Sequence, residues 1–547
     1  MRKLLSISVI VILMTFAQHS SYACTSVLAS RGATADGSVM TSYTYDVAGF
    51  ASPLYFYPGG TYNPGDSLSI YGFRDAVFLG KILQVPQTYK VIGNMNEHQV
   101  VIGETTFVGR TELQGGQGVF DYGNLMIITL QRARTAREAI RIFDELAQKY
   151  GYRDSGETFF FADENEVWIM DFIGKGPFEK GAVWVAARVP EGYIAAHANQ
   201  SRIRFINWND RENWMWSDDV VEFARERDWF TGSRNQFSFR EAYNPITPRS
   251  LLMCEGRVWS IYRRAAPSQN FTADYWRGVE GAEPYPLFIR PDSRLTVADM
   301  KALVRDHFHN SPYFTRTGVA AGPFGTPYRW RPLGFNLEGD PMNYSWERAI
   351  SQPQTAYSFV TQSRNWLPDA IGGIVWYALD DTYTAVFMPL YMGMTRSPRS
   401  LSIASSIEFD WNSAYWVFNK VANHAYPFYN LMIGEIQTVQ SELETRAQTM
   451  VSAIDKAALV LNENSPQFLN EYLTDFSVNF AETAVDRWRE LAYHLFVRFN
   501  DGYIRGTESV KDWPVGVGYP QDFKRRAVES RPGYYDVRWR RPGEPLH

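Results

Sequence analysis

The chain of 547 residues carries 54 Lys and Arg against 59 Asp and Glu, which gives a formal net charge of −5. This balance excludes the strongly basic footprint expected of a nucleic-acid-binding protein. With 35 Phe, 32 Tyr and 17 Trp, the chain can bury a large aromatic core, either in one elaborated domain or in two to four smaller ones.

The first 23 residues have the pattern of a secretory signal peptide. Arg2 and Lys3 form its positive end, and the apolar run 4–17 is shorter than the ~20 residues that a membrane-spanning helix needs. The small residues Ser21 and Ala23 predict cleavage after Ala23. No second apolar stretch in the sequence is long enough to cross a bilayer, so we expect a periplasmic or secreted protein with no membrane span after processing.

Cleavage after Ala23 would make Cys24 the first residue of the mature chain. An α-amino group titrates near ~7.7–8.0, so it can take the proton of a thiol on the same residue and leave a nucleophilic thiolate. Two other uses of Cys24 stay open. It could carry lipid, although Ser21 and Tyr22 are not the residues that a lipoprotein signal usually has there. It could instead form a disulfide with Cys254, the second of the two cysteines.

Secondary-structure signals, taken in chain order, begin with a hairpin. The β-prone segment 25–29 is followed by the turn Asp36-Gly37 and a strand over 38–45. Thr135 with Glu138 predicts a helix start, and Gly151 predicts its end. Thr296 with Asp299 predicts a second capped helix over 296–307. Further strands are predicted at 99–107, 124–129, 157–171 around a central turn, 182–188, 192–198, 355–364 and 371–391.

The C-terminal third has a different pattern. From Ile436 the apolar residues recur at helical spacing, and a further helix around 488–496 is expected to end at Asp501-Gly502. After about Trp513 the chain is rich in Pro, Gly and Arg and is predicted to be irregular.

Five ordered segments carry a resemblance to a known family. The first begins Cys24-Thr-Ser-Val-Leu-Ala-Ser, and the second begins Asn94-Met-Asn-Glu-His. Together with 192–203, 366–377 and 414–419, these segments resemble the dipeptidase A family of N-terminal-nucleophile cysteine hydrolases, which are related to choloylglycine hydrolases and penicillin V acylases. The resemblance extends over most of the chain from Cys24 to about Tyr503.

This resemblance implies an α+β fold, specifically a four-layer αββα sandwich, that hydrolyses amide bonds with no metal and no organic cofactor. We accordingly expect a signal peptide at 1–23, a hydrolase domain at 24–430, and a helical extension at 431–547 that packs on it, with an irregular tail after about 513. Dipeptides are the expected substrates, and a homo-oligomer is compatible with the pattern.

The resemblance also assigns roles to individual residues. Cys24 matches the nucleophile, and Asp46 matches a carboxylate close to the N-terminal residue, where it could hold the α-ammonium or orient the amine. Asn199 matches an asparagine that binds the oxyanion, and Thr106 stands where some relatives have a second oxyanion donor. Without the resemblance, Asp46 would be interpreted as a turn cap, Asn199 as a strand-end residue and Thr106 as an ordinary strand residue.

The sequence departs from the family pattern at one position. Tyr43 stands where many members have Arg, and a tyrosine cannot supply a fixed positive charge. A later arginine could compensate, and the best alignment points to Arg264, with Arg263 close behind. An exposed basic helix is the competing interpretation of this arginine pair.

No other motif indicates a different chemistry. His307 and His309 have the spacing of metal ligands but lack a clear third ligand. The sequence therefore predicts an exported cysteine dipeptidase. The alternatives are an amidase acting on other acylated amines, such as bile-salt-like conjugates, and a lipidated envelope protein without catalytic activity.

Overall fold

The protein is described by a computed structural model that covers residues 24–506 and 514–538. The predicted signal peptide, 1–23, lies outside the described residues. The strands, in chain order, are β1 Thr25–Ala29, β2 Val39–Asp46, β3 Phe56–Tyr57, β4 Gly60–Thr61, β5 Ser67–Tyr71, β6 Phe78–Leu83, β7 Gln87–Thr88, β8 Val91–Ile92, β9 Met95–Asn96, β10 Val101–Phe107, β11 Gly156–Ala162, β12 Val167–Gly174, β13 Ala182–Arg188, β14 Ile194–His197, β15 Trp214–Trp216, β16 Phe288–Ile289, β17 Gly334–Asn336, β18 Asn343–Ser345, β19 Thr355–Ser363, β20 Ile374–Leu379, β21 Met388–Tyr391, β22 Phe499–Asn500, β23 Tyr503–Ile504 and β24 Val515–Gly516.

The helices range from single turns to one of 36 residues. In chain order they are α1 Tyr122–Leu130, α2 Ala136–Tyr150, α3 Glu222–Arg225, α4 Phe239–Tyr243, α5 Pro248–Ser250, α6 Gly256–Ala265, α7 Val297–Val304, α8 Asp369–Gly372, α9 Arg399–Ser402, α10 Ala414–Ala425, α11 Tyr429–Asn464, α12 Leu469–Arg498 and α13 Gln521–Ser530. The protein is thus a mixed α and β structure, as the sequence predicts. No helix among the described residues is both long and apolar enough to cross a membrane.

Two antiparallel sheets contain most of the strands. The first has the order β16-β14-β1-β2-β19-β20-β21, and the second has the order β15-β13-β12-β11-β10-β9-β8-β3. Strand β1 lies inside the first sheet and also packs against β10 of the second sheet. All five residues of β1 are buried, because it has a neighbour on each edge and a sheet against it.

Helices pack against both sheets. Helix α2 contacts β11 and β13, and α7 contacts β1, β2 and β19. The C-terminal helices α11 and α12 lie against each other and against β21, so they add to the sheet that contains β1. This packing explains the apolar spacing that the sequence shows from Ile436 onward, since Ile436, Val439 and Leu443 are all buried on α11.

The predicted strand at 124–129 is wrong, since this segment lies in α1. The Asp121 side chain accepts a hydrogen bond from the Asn124 N–H, and the Asn124 side chain accepts one from the Asp121 N–H. This capping box begins a helix that is buried on all sides. A short apolar run has no periodicity that distinguishes a buried helix from a buried strand, which is why the sequence pattern was ambiguous.

The C-terminal tail also differs from the prediction. Of the residues after Trp513, those at 514–538 are described, and they include α13 rather than irregular structure alone. Pro520 precedes this helix, and the ten residues that follow are mostly good helix formers. The predicted domain boundary at 431 falls two residues after the start of α11 at Tyr429.

Candidate active site

The strand register places Cys24 between two segments that the sequence analysis singled out. Ser26 pairs with His197 across β1 and β14, and Thr25 pairs with Thr44 across β1 and β2. Continuing the β1–β14 register by two residues brings Cys24 opposite Asn199. Continuing the β1–β2 register by one residue brings Cys24 to the end of β2, where Asp46 lies. Residues far apart in sequence therefore meet at the start of β1.

The Cys24 thiol is fully buried and faces two polar groups. Its Sγ lies 3.7 Å from Glu104 Oε1 and 3.8 Å from the Tyr43 hydroxyl. That hydroxyl donates a 2.6 Å hydrogen bond to the same Glu104 oxygen. Tyr43, at the position of the family arginine, thus connects the thiol to a buried carboxyl group instead of supplying a positive charge.

Glu104 was missed by the sequence analysis. It lies on β10, which is otherwise apolar or hydroxyl-bearing, and it is hydrogen-bonded to a second buried glutamate, Glu157 of β11. Burial raises the pKa of both carboxyl groups, and the charge of Glu104 raises that of Glu157 further. Because like charges in contact disfavour double ionisation, the pair resists losing both of its protons. A charged residue inside a predicted buried strand was the signal that could have pointed to this site.

The thiol is held in its neutral form in this closed environment. Burial raises the pKa of Cys24 well above its usual value, and the charges of Glu104 and Asp46 raise it further. The backbone N–H of Asp46 and the Tyr43 hydroxyl act in the opposite direction. A thiol in this setting needs a base before it can attack a carbonyl group.

Asp46 is buried at the end of β2. Its Oδ1 accepts a 2.7 Å hydrogen bond from the Thr355 hydroxyl, and its Oδ2 lies 3.9 Å from Nη2 of Arg348. Burial raises the pKa of Asp46 to about 6, against the opposing effects of Arg348 and of the Thr355 hydrogen bond. Asp46, whose backbone N–H acts on the Cys24 thiol, thus lies near Cys24 and near Arg348, an arginine that the sequence did not indicate.

Asn199 has the backbone and side-chain geometry of a positioned amide. Its φ of 60° lies in the left-handed region, which asparagine tolerates better than most residues. Its Nδ2 donates a 2.6 Å hydrogen bond to the Thr106 carbonyl oxygen. An amide nitrogen has a second N–H, and this second N–H is the group that could donate to a substrate oxygen.

Thr106 therefore contributes its backbone to the site. Its carbonyl oxygen orients Asn199, whereas its hydroxyl donates a 3.4 Å hydrogen bond to Glu104 Oε2. The structure places this hydroxyl in the buried carboxyl network, and the predicted role of Thr106 as an oxyanion donor stays a prediction.

The arginine that reaches Cys24 is Arg257, not Arg264. Arg257 Nη1 donates to the Cys24 carbonyl oxygen at 2.7 Å and to Thr25 Oγ1 at 2.8 Å. Its Nη2 donates to Asn199 Oδ1 at 2.9 Å, so one guanidinium connects the nucleophile's backbone to the oxyanion residue. Arg257 is fully buried at the start of α6.

Arg264 lies on the same face of α6 but two turns later. Seven residues of α-helix rise about 10 Å, which takes Arg264 away from Cys24. It donates to Ala302 O at 2.8 Å and to Asp306 Oδ1 at 3.1 Å. The prediction that chose Arg264, with Arg263 beside it, had the correct helix and the wrong turn.

His197 makes the stability of the folded protein sensitive to acid. Burial lowers its pKa to about 3, with further contributions from Arg202 and Arg257. Its Nδ1 lies 2.8 Å from Thr105 Oγ1, and its Nε2 is buried without a hydrogen-bond partner in the described structure. The folded state therefore disfavours the charged imidazole that the unfolded chain forms below pH ~6.5.

We expect the free energy of unfolding to fall by about 2 kcal/mol between pH 7 and pH 5 through His197 alone, because the unfolded state binds the proton that the folded state excludes. His197→Gln keeps a polar contact for Thr105 and removes this titration. Denaturant unfolding of both proteins at the two pH values measures the difference. Equal pH dependence in wild type and variant would contradict this assignment.

The second cysteine, Cys254, and the histidine candidate His309 make hydrogen bonds to neighbouring residues. Cys24 and Cys254 are both free thiols, and Cys254 Sγ donates to the Asn199 carbonyl oxygen at 3.3 Å. His309 Nδ1 lies 3.1 Å from Asp306 Oδ1. Within 24–506 and 514–538, no group of three or more His, Cys, Asp or Glu side chains is arranged to hold a metal ion.

Comparisons with known proteins match the sequence over most of its length. The sequence model described as Peptidase family C69 matches residues 74–442, a range that includes Glu104, Asn199 and Arg257 and begins after Cys24. A probable dipeptidase of Latilactobacillus sakei is 23% identical over 489 residues, which cover 86% of this chain and 94% of that protein. A probable dipeptidase of Salmonella dublin is 24% identical over 393 residues, 68% of this chain and 81% of that protein. Dipeptidase A of Lactobacillus helveticus is 22% identical over 308 residues, 56% of each chain.

Proposed function

From the premise that the chain belongs to peptidase family C69, we propose that it is a cysteine dipeptidase with Cys24 as its nucleophile. Membership in this family confirms the resemblance seen in the sequence and makes the protein a peptidase. The similar proteins named as dipeptidases support dipeptides as the substrate class. The four-layer αββα arrangement is part of the proposal, and the packing of β1 on β10 with α2 and α7 against the two sheets supports it.

The observation that carries the proposal is the set of hydrogen bonds made by Arg257. One side chain holds both the Cys24 carbonyl oxygen and the Asn199 amide oxygen. This arrangement fixes the backbone of Cys24 and the side-chain amide of Asn199 relative to each other. Acyl transfer needs a nucleophile and an oxyanion donor that are held in fixed positions, and this contact supports that role for the pair.

In the proposed reaction, removal of 1–23 during export frees the Cys24 α-amine. The amine takes the thiol proton, and the thiolate attacks the carbonyl carbon of the substrate. The free N–H of Asn199 Nδ2 donates to the oxyanion. As the oxyanion collapses, the C–N bond breaks, the ammonium returns the proton to the leaving amine, and a thioester remains on Cys24. Water then attacks the thioester with the same amine as base and releases the acid and the thiol.

Asn199→Asp is expected to lower kcat by roughly 10²- to 10³-fold, because it removes the oxyanion donor. The variant keeps an oxygen that accepts from Arg257 and a residue that tolerates a positive φ, so the fold should persist. Steady-state kinetics on a dipeptide, together with the melting temperature, measure both effects. Thr106→Val tests the second predicted donor separately, since it removes the Thr106 hydroxyl and keeps the carbonyl that orients Asn199. An Asn199→Asp enzyme with unchanged kcat would contradict the role of this amide.

A substrate panel tests the function itself. The mature protein should hydrolyse dipeptides faster than N-acylated amines or bile-salt conjugates. A preference for the acylated amines would favour the amidase alternative. Diacylglycerol on Cys24, found by mass spectrometry of the N-terminal peptide together with a lack of turnover, would favour the lipidated envelope protein.

A further inference from the structure

A group of arginine side chains converges next to Cys24 and Asp46. Arg257 comes from α6. Arg331 and Arg348 come from the segment 328–348, which lies between α7 and β19 in the sequence. The charges of all three act on Asp46, and those of Arg257 and Arg331 act on Arg348 as well. Leu333 of the same segment packs with Met253 and Cys254, so this segment contacts the residues that directly precede α6.

Arg257 has no donor left for a ligand. A guanidinium has five N–H groups. Those of Arg257 donate to the carbonyl oxygens of Met253, Cys24 and Ala198, to Thr25 Oγ1 and to Asn199 Oδ1. Arg257 therefore contributes positive charge and positions its neighbours, and it does not bind substrate directly.

Arg348, in contrast to Arg257, has donors without hydrogen-bond partners among the described residues. Its side chain is only 4% exposed, yet its Nε and Nη2 have no hydrogen-bond partner in the described part of the chain. Asp46 Oδ2, at 3.9 Å, is beyond hydrogen-bonding distance. Buried donors without partners are costly, and native proteins keep them mainly where a ligand or water completes the set.

The charges around Arg348 are also unbalanced. Arg257 and Arg331 repel it, and Asp46 is the carboxylate whose charge attracts it. Burial, together with this repulsion, lowers the pKa of Arg348 well below its usual value. Because two arginines repel Arg348 and the carboxylate that attracts it makes no hydrogen bond to it, an anionic ligand at its free donors would be stabilising.

On these grounds we propose that Arg348 binds the free C-terminal carboxylate of the substrate, through its unpartnered Nε and Nη2. The inference rests on the proposed dipeptidase function and adds to it a reason for the substrate's length. In a dipeptide the carboxylate carbon lies about one residue length, roughly 4 Å, from the carbonyl carbon that is attacked. A tripeptide or a peptide amide with the same scissile bond presents no charge at that distance.

The test compares alanyl-leucine with alanyl-leucinamide, which share a scissile bond and differ in the terminal charge. Wild-type enzyme should hydrolyse the acid with the higher kcat/KM. Arg348→Gln should lower kcat/KM for the acid by roughly 10- to 100-fold, mainly through KM, because a charge-assisted pair of hydrogen bonds is lost. The same variant should leave kcat/KM for the amide within about 3-fold of wild type, and Arg348→Lys should restore part of the preference.

Arg329→Gln is the matched control. Arg329 is a buried arginine of the same segment, and its Nη2 is paired with Glu347 Oε1 at 2.6 Å. This variant should keep the wild-type preference for the acid. Equal loss on acid and amide in Arg348→Gln, or no preference in wild type, would overturn the inference.

A binding measurement separates this inference from the proposed function. Cys24→Ser protein is titrated calorimetrically with alanyl-leucine and with alanyl-leucinamide, before and after the Arg348→Gln change. Tighter binding of the acid that disappears with Arg348→Gln supports the carboxylate site, even if the wild-type protein hydrolyses neither peptide. Equal binding of the two peptides, or no binding of either, overturns it. The comparison in Cys24→Ser alone suffices if Arg348→Gln fails to fold.

Discussion

Replacing Cys24 by Ala is expected to abolish dipeptide hydrolysis, with a loss of at least ~10³-fold. The proposed reaction passes through a bond to the Cys24 sulfur, and the other thiol near Asn199, that of Cys254, takes no part in it. The α-amine alone cannot form the thioester. Because Cys24 is fully buried and small, the substitution should leave the fold intact.

Cys254→Ser is the control for this result. Its hydroxyl can still donate to the Asn199 carbonyl oxygen, as the Cys254 thiol does at 3.3 Å. We expect kcat within about 3-fold of wild type, since Cys254 takes no part in the proposed chemistry. Kinetics on both variants and their melting temperatures complete the comparison. A Cys24→Ala enzyme that retained substantial turnover would refute the mechanism.

A single extra residue before Cys24 should lower the rate of dipeptide hydrolysis as much as the loss of the thiol does, by at least ~10³-fold. An amide nitrogen has no basic lone pair, so an extended chain lacks the group that takes the thiol proton. Burial and two carboxyl groups hold the pKa of this thiol well above its usual value, so few thiolates form without a base. Two chains, one beginning at Cys24 and one with a preceding Gly, can be prepared by specific proteolysis and assayed side by side.

The melting temperatures of the two chains check that the extension leaves the fold intact. Equal activity would show that another group accepts the proton. Glu104 would then be the base to examine, since its Oε1 lies 3.7 Å from Sγ and is linked to the thiol through Tyr43 as well. Glu104→Gln in both chains would separate these two bases.

The sequence predicted correctly those strands and helices whose ends are set by nearby turn and cap residues. The hairpin that begins at Thr25 follows from a β-prone run and the turn at Gly37, whose φ of 82° suits glycine. Helix α2 begins at its predicted cap, Thr135, and ends at Gly151, as the sequence indicated. The strand predicted at 124–129 was wrong because an apolar run without periodicity is compatible with either a helix or a strand.

The site was only partly predictable because its partners come from distant segments. Cys24, Asp46 and Asn199 could be named because family segments marked them, and the strand register then brings them together. The choice between Arg257 and Arg264 depends on which turn of α6 faces Cys24, which sequence spacing cannot decide when both lie on one face. Arg348 could not be found at all, since its significance lies in hydrogen bonds that it does not make.

The role of Cys24 as an N-terminal nucleophile is tested most directly by trapping the acyl-enzyme. Mature protein is mixed with a dipeptide, quenched in acid within milliseconds to seconds, and digested for mass spectrometry of the N-terminal peptide. We expect a peptide that begins at Cys24 and carries the N-terminal residue of the substrate as a thioester that hydroxylamine removes. An active enzyme whose chain begins before Cys24, or one that carries the acyl group on another residue, would contradict it.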